Sequence, residues 1–140
     1  MNRKIYDLLS EKALEARNFA YIPYSHYAVG AALLTKDGRI FTGCNIENAA
    51  YSPTNCGERT AIFKAVSEGC RDFEAIAVAG GAEDAPLPLG EFPPCGVCRQ
   101  VMMEFCDPET FDVLLVRDAG LYRVVKLKDL LPGGFSPSYL

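Results

Sequence analysis

Three cysteines and one glutamate, in two short segments, are the residues of this sequence best suited to chemistry. Cys56 opens the segment Cys56-Gly57-Glu58-Arg59, and Cys95 and Cys98 form a C-x-x-C pair directly after a proline. Thiolates bind Zn²⁺, and three protein ligands leave the fourth tetrahedral position open, as in catalytic rather than structural zinc sites. The spacing therefore predicts a catalytic zinc site with these three cysteines as ligands.

Glu58 stands two residues after the first cysteine, close enough to exchange protons with a water in the open position without binding the metal. A carboxylate placed there can take the proton and deliver it to a substrate, which is general acid–base catalysis. Three thiolates give the site a net negative charge and weaken it as a Lewis acid. Helix dipoles and the neighbouring Arg59 are expected to offset part of that charge.

Other interpretations of the cysteines stay open on spacing alone. A lone C-x-x-C is also typical of buried cysteines, of structural zinc and of redox pairs, and a structural-zinc interaction module is the alternative from a different functional class. Such a module needs a fourth protein ligand, and the sequence offers none at suitable spacing. Cys44, Cys70 and Cys106 are interpreted as plain small residues, since a chain without an export signal is expected to keep its thiols reduced.

Length, charge and hydropathy limit the functional classes to which this protein can belong. The 140 residues predict a single domain over 1–140, and about half of them are hydrophobic, enough for a substantial core. A net charge of −4 disfavours nucleic-acid binding, for which a basic surface is expected. No apolar run approaches the roughly 20 residues of a membrane helix, and the first residues lack the apolar core of a signal peptide. We expect a cytoplasmic protein with a small neutral substrate and no membrane or nucleic-acid partner.

Hydrophobic periodicity and turn residues predict nine elements. Asp37-Gly38 marks a tight hairpin between the first two strands, and Asn55 is the expected N-cap of the helix that carries the first cysteine. The predicted helices cover 3 to about 20, 56–68, 95–105 and 127–131, and the predicted strands cover 27–34, 40–44, 73–79, 111–116 and 121–125.

The order of these elements predicts a three-layer α/β/α sandwich around a mixed five-stranded sheet. Each cysteine-bearing helix lies in a crossover between two strands. The N-termini of the two helices should therefore meet at one end of the sheet, where they bring the three thiols together.

Five motifs together resemble the cytidine deaminase family, in its small homotetrameric form with three cysteine ligands, within the cytidine and deoxycytidylate deaminase superfamily. They follow in order Pro23-Tyr24-Ser25, Val29-Gly30-Ala31-Ala32-Leu33, Gly43-Cys44-Asn45-Ile46-Glu47-Asn48-Ala49, Cys56-Gly57-Glu58-Arg59-Thr60-Ala61 and Pro94-Cys95-Gly96-Val97-Cys98-Arg99-Gln100. The C-x-E and P-C-x-x-C spacing is also the pattern known for zinc nucleobase deaminases. The resemblance implies zinc-dependent hydrolysis of cytidine and 2'-deoxycytidine to uridine and 2'-deoxyuridine, a pyrimidine salvage reaction.

The resemblance also implies roles for individual residues. Cys56, Cys95 and Cys98 would bind zinc, Glu58 would shuttle protons and Arg59 would offset thiolate charge. The implied substrate contacts are the sugar ligands Asn45 and Glu47, the base neighbours Tyr27 and Gly57, the loop residue Tyr51 and the tail residue Phe135.

Two of these positions depart from the family, which usually has Phe at the position of Tyr27 and Ala at the position of Gly57. In the tetramer that the resemblance implies, Phe135 reaches a neighbour's active site. A deaminase of another cytosine-bearing compound, such as an aminonucleoside antibiotic or a nucleotide, is the alternative within the superfamily. The absence of an evident basic phosphate clamp in the sequence disfavours a nucleotide.

Overall fold

Five strands form one mixed sheet at the centre of the protein, in a computed structural model that describes residues 2–140. The strands lie in the order β2-β1-β3-β4-β5, and of the four pairings only that of β3 with β4 is parallel. The mixed five-stranded sheet is thereby confirmed. Its strands are β1 (Tyr27–Thr35), β2 (Ile40–Cys44), β3 (Phe73–Ala82), β4 (Asp112–Asp118) and β5 (Leu121–Lys126).

Helices cover both faces of the sheet, which confirms the three-layer sandwich. One face packs against α1 through a cluster that includes Tyr6, Leu9 and Ala13. The other face packs against α2 and α3 through a cluster that includes Ile62 and Met102. Successive strand residues alternate between the two clusters, as a period of two requires. The helices are α1 (Arg3–Ala16), α2 (Gly57–Ser67), α3 (Gly96–Phe105) and α4 (Leu127–Leu130).

The first two helices lie unusually close to the β1–β2 hairpin because two strand residues lack side chains. A Cβ on Gly30 would lie 2.1 Å from the carbonyl oxygen of Ala13 in α1. A Cβ on Gly43 would lie 2.5 Å from the backbone nitrogen of Ala61 in α2. The interpretation of Gly30 as a point of close approach is confirmed, and the hairpin is held tightly between the two helix layers.

Two elements end more than two residues from their predicted bounds. The first helix ends at Ala16 and continues only as a short 3₁₀ turn over Arg17–Phe19, after which the Tyr21 N–H bonds the Asn45 carbonyl at 3.0 Å. The third strand runs to Ala82 rather than residue 79 because it stays paired with β1 along its whole length. The Gly80-Gly81 pair hid that extension from the sequence pattern. Within residues 2–140, the structure has no helix both long and apolar enough to cross a membrane.

Candidate active site

Two of the three thiols stand at the N-caps of helices. Cys56 precedes α2 and Cys95 precedes α3, both with extended backbone dihedrals. The predicted N-cap at Asn55 was wrong: the Cys56 carbonyl accepts the first helical bond from the Thr60 N–H at 3.0 Å, and the Asn55 side chain donates to the Thr60 hydroxyl instead. The partial positive charge of each helix start therefore falls next to a thiol, where it favours the thiolate.

The three sulfur atoms have the geometry of a zinc site. The Sγ atoms of Cys56, Cys95 and Cys98 lie within 4.8 Å of one another. The separation is 3.9 Å between Cys56 and Cys95 and 3.6 Å between Cys95 and Cys98. Tetrahedral ligands at a Zn–S distance of about 2.3 Å stand about 3.8 Å apart. The donor set therefore fits Zn²⁺, and within residues 2–140 no fourth His, Cys, Asp or Glu joins the group.

Glu58 is a fully buried carboxyl group beside this cluster. Neither of its oxygens has a hydrogen-bond partner among residues 2–140. Burial raises the pKa of Glu58 to about 7, and the nearby Cys56 sulfur adds to the rise. Leaving a buried polar group unpaired costs stability, so the arrangement points to a partner that arrives from outside the chain. A pKa near neutral also suits a group that both accepts and donates a proton.

The pKa values of the Cys56 and Cys98 thiols are shifted in opposite directions. A hydrogen bond from the Cys98 thiol lowers the pKa of Cys56, and burial opposes this effect. The Arg59 guanidinium lowers the pKa further, and the result is a pKa of about 5. The same bond to Cys56, together with burial, raises the pKa of Cys98. Arg59 Nη2 donates to the Cys56 sulfur at 3.3 Å, which brings one positive charge into contact with one thiol. One arginine cannot balance three thiolates, so a cation is needed for all three to ionise.

Asn45 follows Cys44, whose Cα would lie 3.4 Å from a Cβ on Gly57 at the start of α2. The Asn45 side chain is already bound to β1. Its Oδ1 accepts from the Val29 N–H at 3.0 Å, and its Nδ2 donates to the Tyr27 carbonyl at 2.8 Å. The Val29 carbonyl in turn would lie 3.2 Å from a Cβ on Gly57. The close approach of β1 thus matches the glycine at position 57, and Asn45 keeps one amide hydrogen for a ligand.

Glu47 lies in a pocket of about 330 Å³ that is also lined by Tyr24, Ser25, Tyr51 and Thr54. Its Oε1 accepts the backbone N–H groups of Tyr24 and Ser25, each at 3.1 Å, and its Oε2 accepts the Ser25 hydroxyl. The Ser25 hydroxyl is the main cause of a lowered pKa for Glu47, which keeps this carboxylate ionised. Tyr51 packs edge-on against Tyr24, with ring centroids 6.2 Å apart.

Tyr27 has a ring partner, Phe92, that the sequence pattern does not reveal. Its ring centroid lies 5.8 Å from that of Phe92, and Phe92 in turn covers Gly80, where a Cβ would lie 2.6 Å from the phenyl ring. Residues 80–94 lie between the predicted strand 73–79 and helix 95–105 and have no periodicity that predicts an element. The sequence signal for Phe92 is that it is the one aromatic residue among the prolines shortly before Cys95.

Phe135 contacts its own tail and α3. Its ring stacks on Tyr139 with centroids 5.6 Å apart, and its carbonyl accepts from the Gln100 side chain at 2.9 Å. Just over half of its surface is exposed. The structure thus brings the thiols, Glu58 and Arg59 together in one place, and leaves the Phe135 ring on the surface of this chain.

Comparison with known proteins agrees with this geometry. Residues 3–113 match the sequence profile of the cytidine and deoxycytidylate deaminase zinc-binding region. A cytidine deaminase of Halalkalibacterium halodurans is 51% identical over 129 residues, which cover 92% of each protein. A probable cytidine deaminase of Dictyostelium discoideum is 44% identical over 137 residues, covering 97% of this chain and 87% of that protein.

A solved structure gives the same result. The crystal structure of cytidine deaminase from Burkholderia pseudomallei matches with a TM-score of 0.81 and 49% identity, covering 91% of this chain and 97% of that one. The resemblance inferred from the five motifs is confirmed. The chain therefore belongs to the cytidine and deoxycytidylate deaminase family, and its three-cysteine cluster fits the zinc ion for which the family's binding region is named.

Proposed function

We propose that this chain hydrolyses cytidine and 2'-deoxycytidine to uridine and 2'-deoxyuridine with release of ammonia. The observation that carries the proposal is Glu58, a carboxyl group with no exposed surface and no partner among residues 2–140, beside three thiols at zinc-binding distances. Bound Zn²⁺ supplies a Lewis acid that lowers the pKa of water. Glu58 takes one proton of the attacking water and delivers it to the pyrimidine ring, and the second proton goes to the amino group, which leaves as ammonia.

The remaining site residues would hold the nucleoside. Asn45 and Glu47 offer an amide and an ionised carboxylate to the sugar hydroxyls, and a hydroxyl that donates to a carboxylate forms a strong charge-assisted bond. Tyr27 supplies an aromatic face near the base, and the backbone N–H of Gly57 supplies a hydrogen-bond donor to the base. Tyr51 borders the pocket that contains Glu47.

A substrate panel tests this assignment. Cytidine and 2'-deoxycytidine should both be converted, whereas CMP should be about a hundredfold poorer or worse, because ionised Glu47 repels a phosphate. Free cytosine should also be poor, since it lacks the sugar. The rates follow from the loss of cytidine absorbance in the ultraviolet.

The panel also separates the alternatives. CMP turned over as well as cytidine would contradict the assignment of Glu47. A cytosine-bearing aminonucleoside antibiotic that is converted faster than cytidine would move the proposal to that substrate class. Protein that binds zinc and converts none of these compounds would favour the structural-zinc module.

Assembly into a homotetramer that shares its active sites is part of the proposal. Phe135 and Tyr139 expose most of their side chains on the C-terminal tail, and Val97, on the first turn of α3, is 57% exposed. These exposed side chains leave an apolar surface beside Cys95 that a second subunit can cover. Closed symmetric association is the usual way to cover such a patch.

Phe135→Ala should raise the KM for cytidine roughly three- to tenfold without removing zinc, because one aromatic contact over the base is lost. Tyr139→Ala is the matched control, since it removes the aromatic residue stacked on Phe135. Mixing Phe135→Ala with Glu58→Gln subunits should restore some sites, because each site would draw the two residues from different chains. A protein that sediments as a monomer at full activity would contradict the shared site.

We propose a cytoplasmic location, based on the chemistry of the thiols. All six cysteines are free, and thiolate ligands to zinc must stay reduced. The cytosol maintains that state, whereas oxidising compartments favour disulfides.

A further inference from the structure

Ser25 connects two residues of the proposed nucleoside pocket. Its hydroxyl donates to Glu47 Oε2 and accepts the backbone N–H of Tyr27 at 3.1 Å. We propose that Ser25 is a positioning residue for sugar recognition, which fixes the Glu47 carboxylate in the orientation that receives a sugar hydroxyl. The inference rests on the proposed function, because it takes Glu47 as a sugar ligand.

The hydrogen bonds of Glu47 leave room for one more donor. An ionised carboxylate has about four acceptor positions. Two on Oε1 are taken by the backbone N–H groups of Tyr24 and Ser25, and one on Oε2 is taken by the Ser25 hydroxyl. One position on Oε2 remains. This count matches a single sugar hydroxyl, and the Ser25 hydroxyl shares that oxygen with it.

The backbone of Glu47 is fixed independently of its side chain. The Glu47 N–H donates to the Tyr21 carbonyl at 2.9 Å. The preceding Ile46 exchanges two backbone bonds with Asn55, at 2.9 and 3.0 Å. The side-chain torsions are the freedom that is left, and among residues 2–140 Ser25 is the one side chain that bonds this carboxylate. Restricting such freedom before binding lowers the entropic cost of recognition.

The turn that presents Ser25 is itself held in a rare conformation. His26 has a φ of 56°, in the left-handed region that non-glycine residues seldom adopt. Its N–H donates to the Ile22 carbonyl at 3.1 Å, and its carbonyl accepts the Glu83 N–H at 2.8 Å. Conformations of this kind persist where the surroundings enforce them, and they cluster at ligand sites. The turn therefore delivers the Ser25 hydroxyl to one defined place.

Ser25→Ala should raise the KM for cytidine about tenfold and leave kcat and zinc content unchanged, since a hydrogen bond to a charged group is lost. Ser25→Thr keeps the hydroxyl at an exposed position, so its KM should return to within about twofold of the wild type. Ser67→Ala is the matched control, because that hydroxyl bonds only a backbone carbonyl in its own helix.

A substrate without the relevant hydroxyls distinguishes positioning from general damage. With 2',3'-dideoxycytidine, which lacks both secondary sugar hydroxyls, Ser25→Ala and wild type should have the same KM. An equal rise in KM for cytidine and for dideoxycytidine would mean a merely structural role and overturn the inference. No rise for either substrate would overturn it as well. Should Ser25→Ala not retain zinc, Ser25→Cys replaces it, since a thiol fills the same space as a much weaker donor.

Equilibrium binding separates this inference from the proposed function. Cytidine affinity is measured by calorimetry in Glu58→Gln protein, with and without Ser25→Ala, so that no turnover interferes. A tenfold weaker Kd in the double variant supports the role of Ser25 even if the wild type proves to deaminate another compound. If the wild type converts cytidine but Ser25→Ala does not change the Kd, the proposed function is retained and the inference about Ser25 is rejected.

Discussion

Glu58→Gln should keep the fold and the zinc and lose nearly all turnover. Glu58 is the one carboxyl group that the structure buries beside the thiols without a partner among residues 2–140. A glutamine fills the same volume but cannot accept and return a proton. Loss of a general acid–base group commonly lowers the rate by about 10²–10⁴-fold, and we expect kcat for cytidine to fall by at least that much.

The control for this variant is Glu68→Gln, at the exposed C-terminal end of the same helix. It removes the same charge from α2 away from the thiols and should keep wild-type kcat. Turnover by Glu58→Gln within a few-fold of the wild type, with zinc present, would show that another group moves the proton.

Cys98→Ala should lose both zinc and activity. Cys98 has no exposed surface, so neither water nor a neighbouring side chain can easily replace its sulfur. Two thiols are too few for a stable site with one open position. We expect less than one zinc in ten chains by elemental analysis, and a fall in kcat/KM of roughly 10³-fold or more, which corresponds to the several kcal/mol that a Lewis acid contributes.

Cys106→Ala is the matched control, because Cys106 is also buried and ends the same helix. Its pKa is raised by burial to about 12, so its thiol stays protonated. This variant should bind one zinc per chain as the wild type does. Full zinc content in Cys98→Ala, or equal activity of chelator-treated protein, would contradict the three-thiol site.

The sequence was sufficient to predict the position of the thiols. Helix starts carry local signals, and the alternation of strands and helices forces both cysteine-bearing helices to begin at the same end of the sheet. The error at Asn55 was one residue. Asn55 and Cys56 are both compatible with an N-cap, and only the tertiary structure decides that the cysteine takes it.

Contacts between distant segments could not be predicted in the same way. The bond between Ser25 and Glu47 joins residues 22 apart in the chain, and the Tyr27–Phe92 pair joins a strand to a loop without periodicity. Neither leaves a repeating pattern in the sequence. Both depend on how the hairpin and the loop pack, which side-chain types alone do not determine.

Asn45 and Glu47 show why the structural and functional interpretations of one residue are compatible. Each already holds backbone groups of a neighbouring segment. Each also keeps one hydrogen-bonding position for a ligand, by the count of its donors and acceptors. Substitution at either position should therefore disturb both the loop and the substrate contact, which makes Ser25 the cleaner position for mutation.

The oxygen that enters the product shows whether this chain catalyses hydrolytic deamination. Zinc-loaded protein is incubated with cytidine in water enriched in ¹⁸O, and uridine and ammonia are quantified by mass spectrometry and an ammonia assay. We expect one equivalent of ammonia for each uridine and one ¹⁸O atom in each newly formed uridine, since water replaces the amino group. Protein with one bound zinc per chain that leaves cytidine unchanged, or that forms uridine without the label, would contradict it.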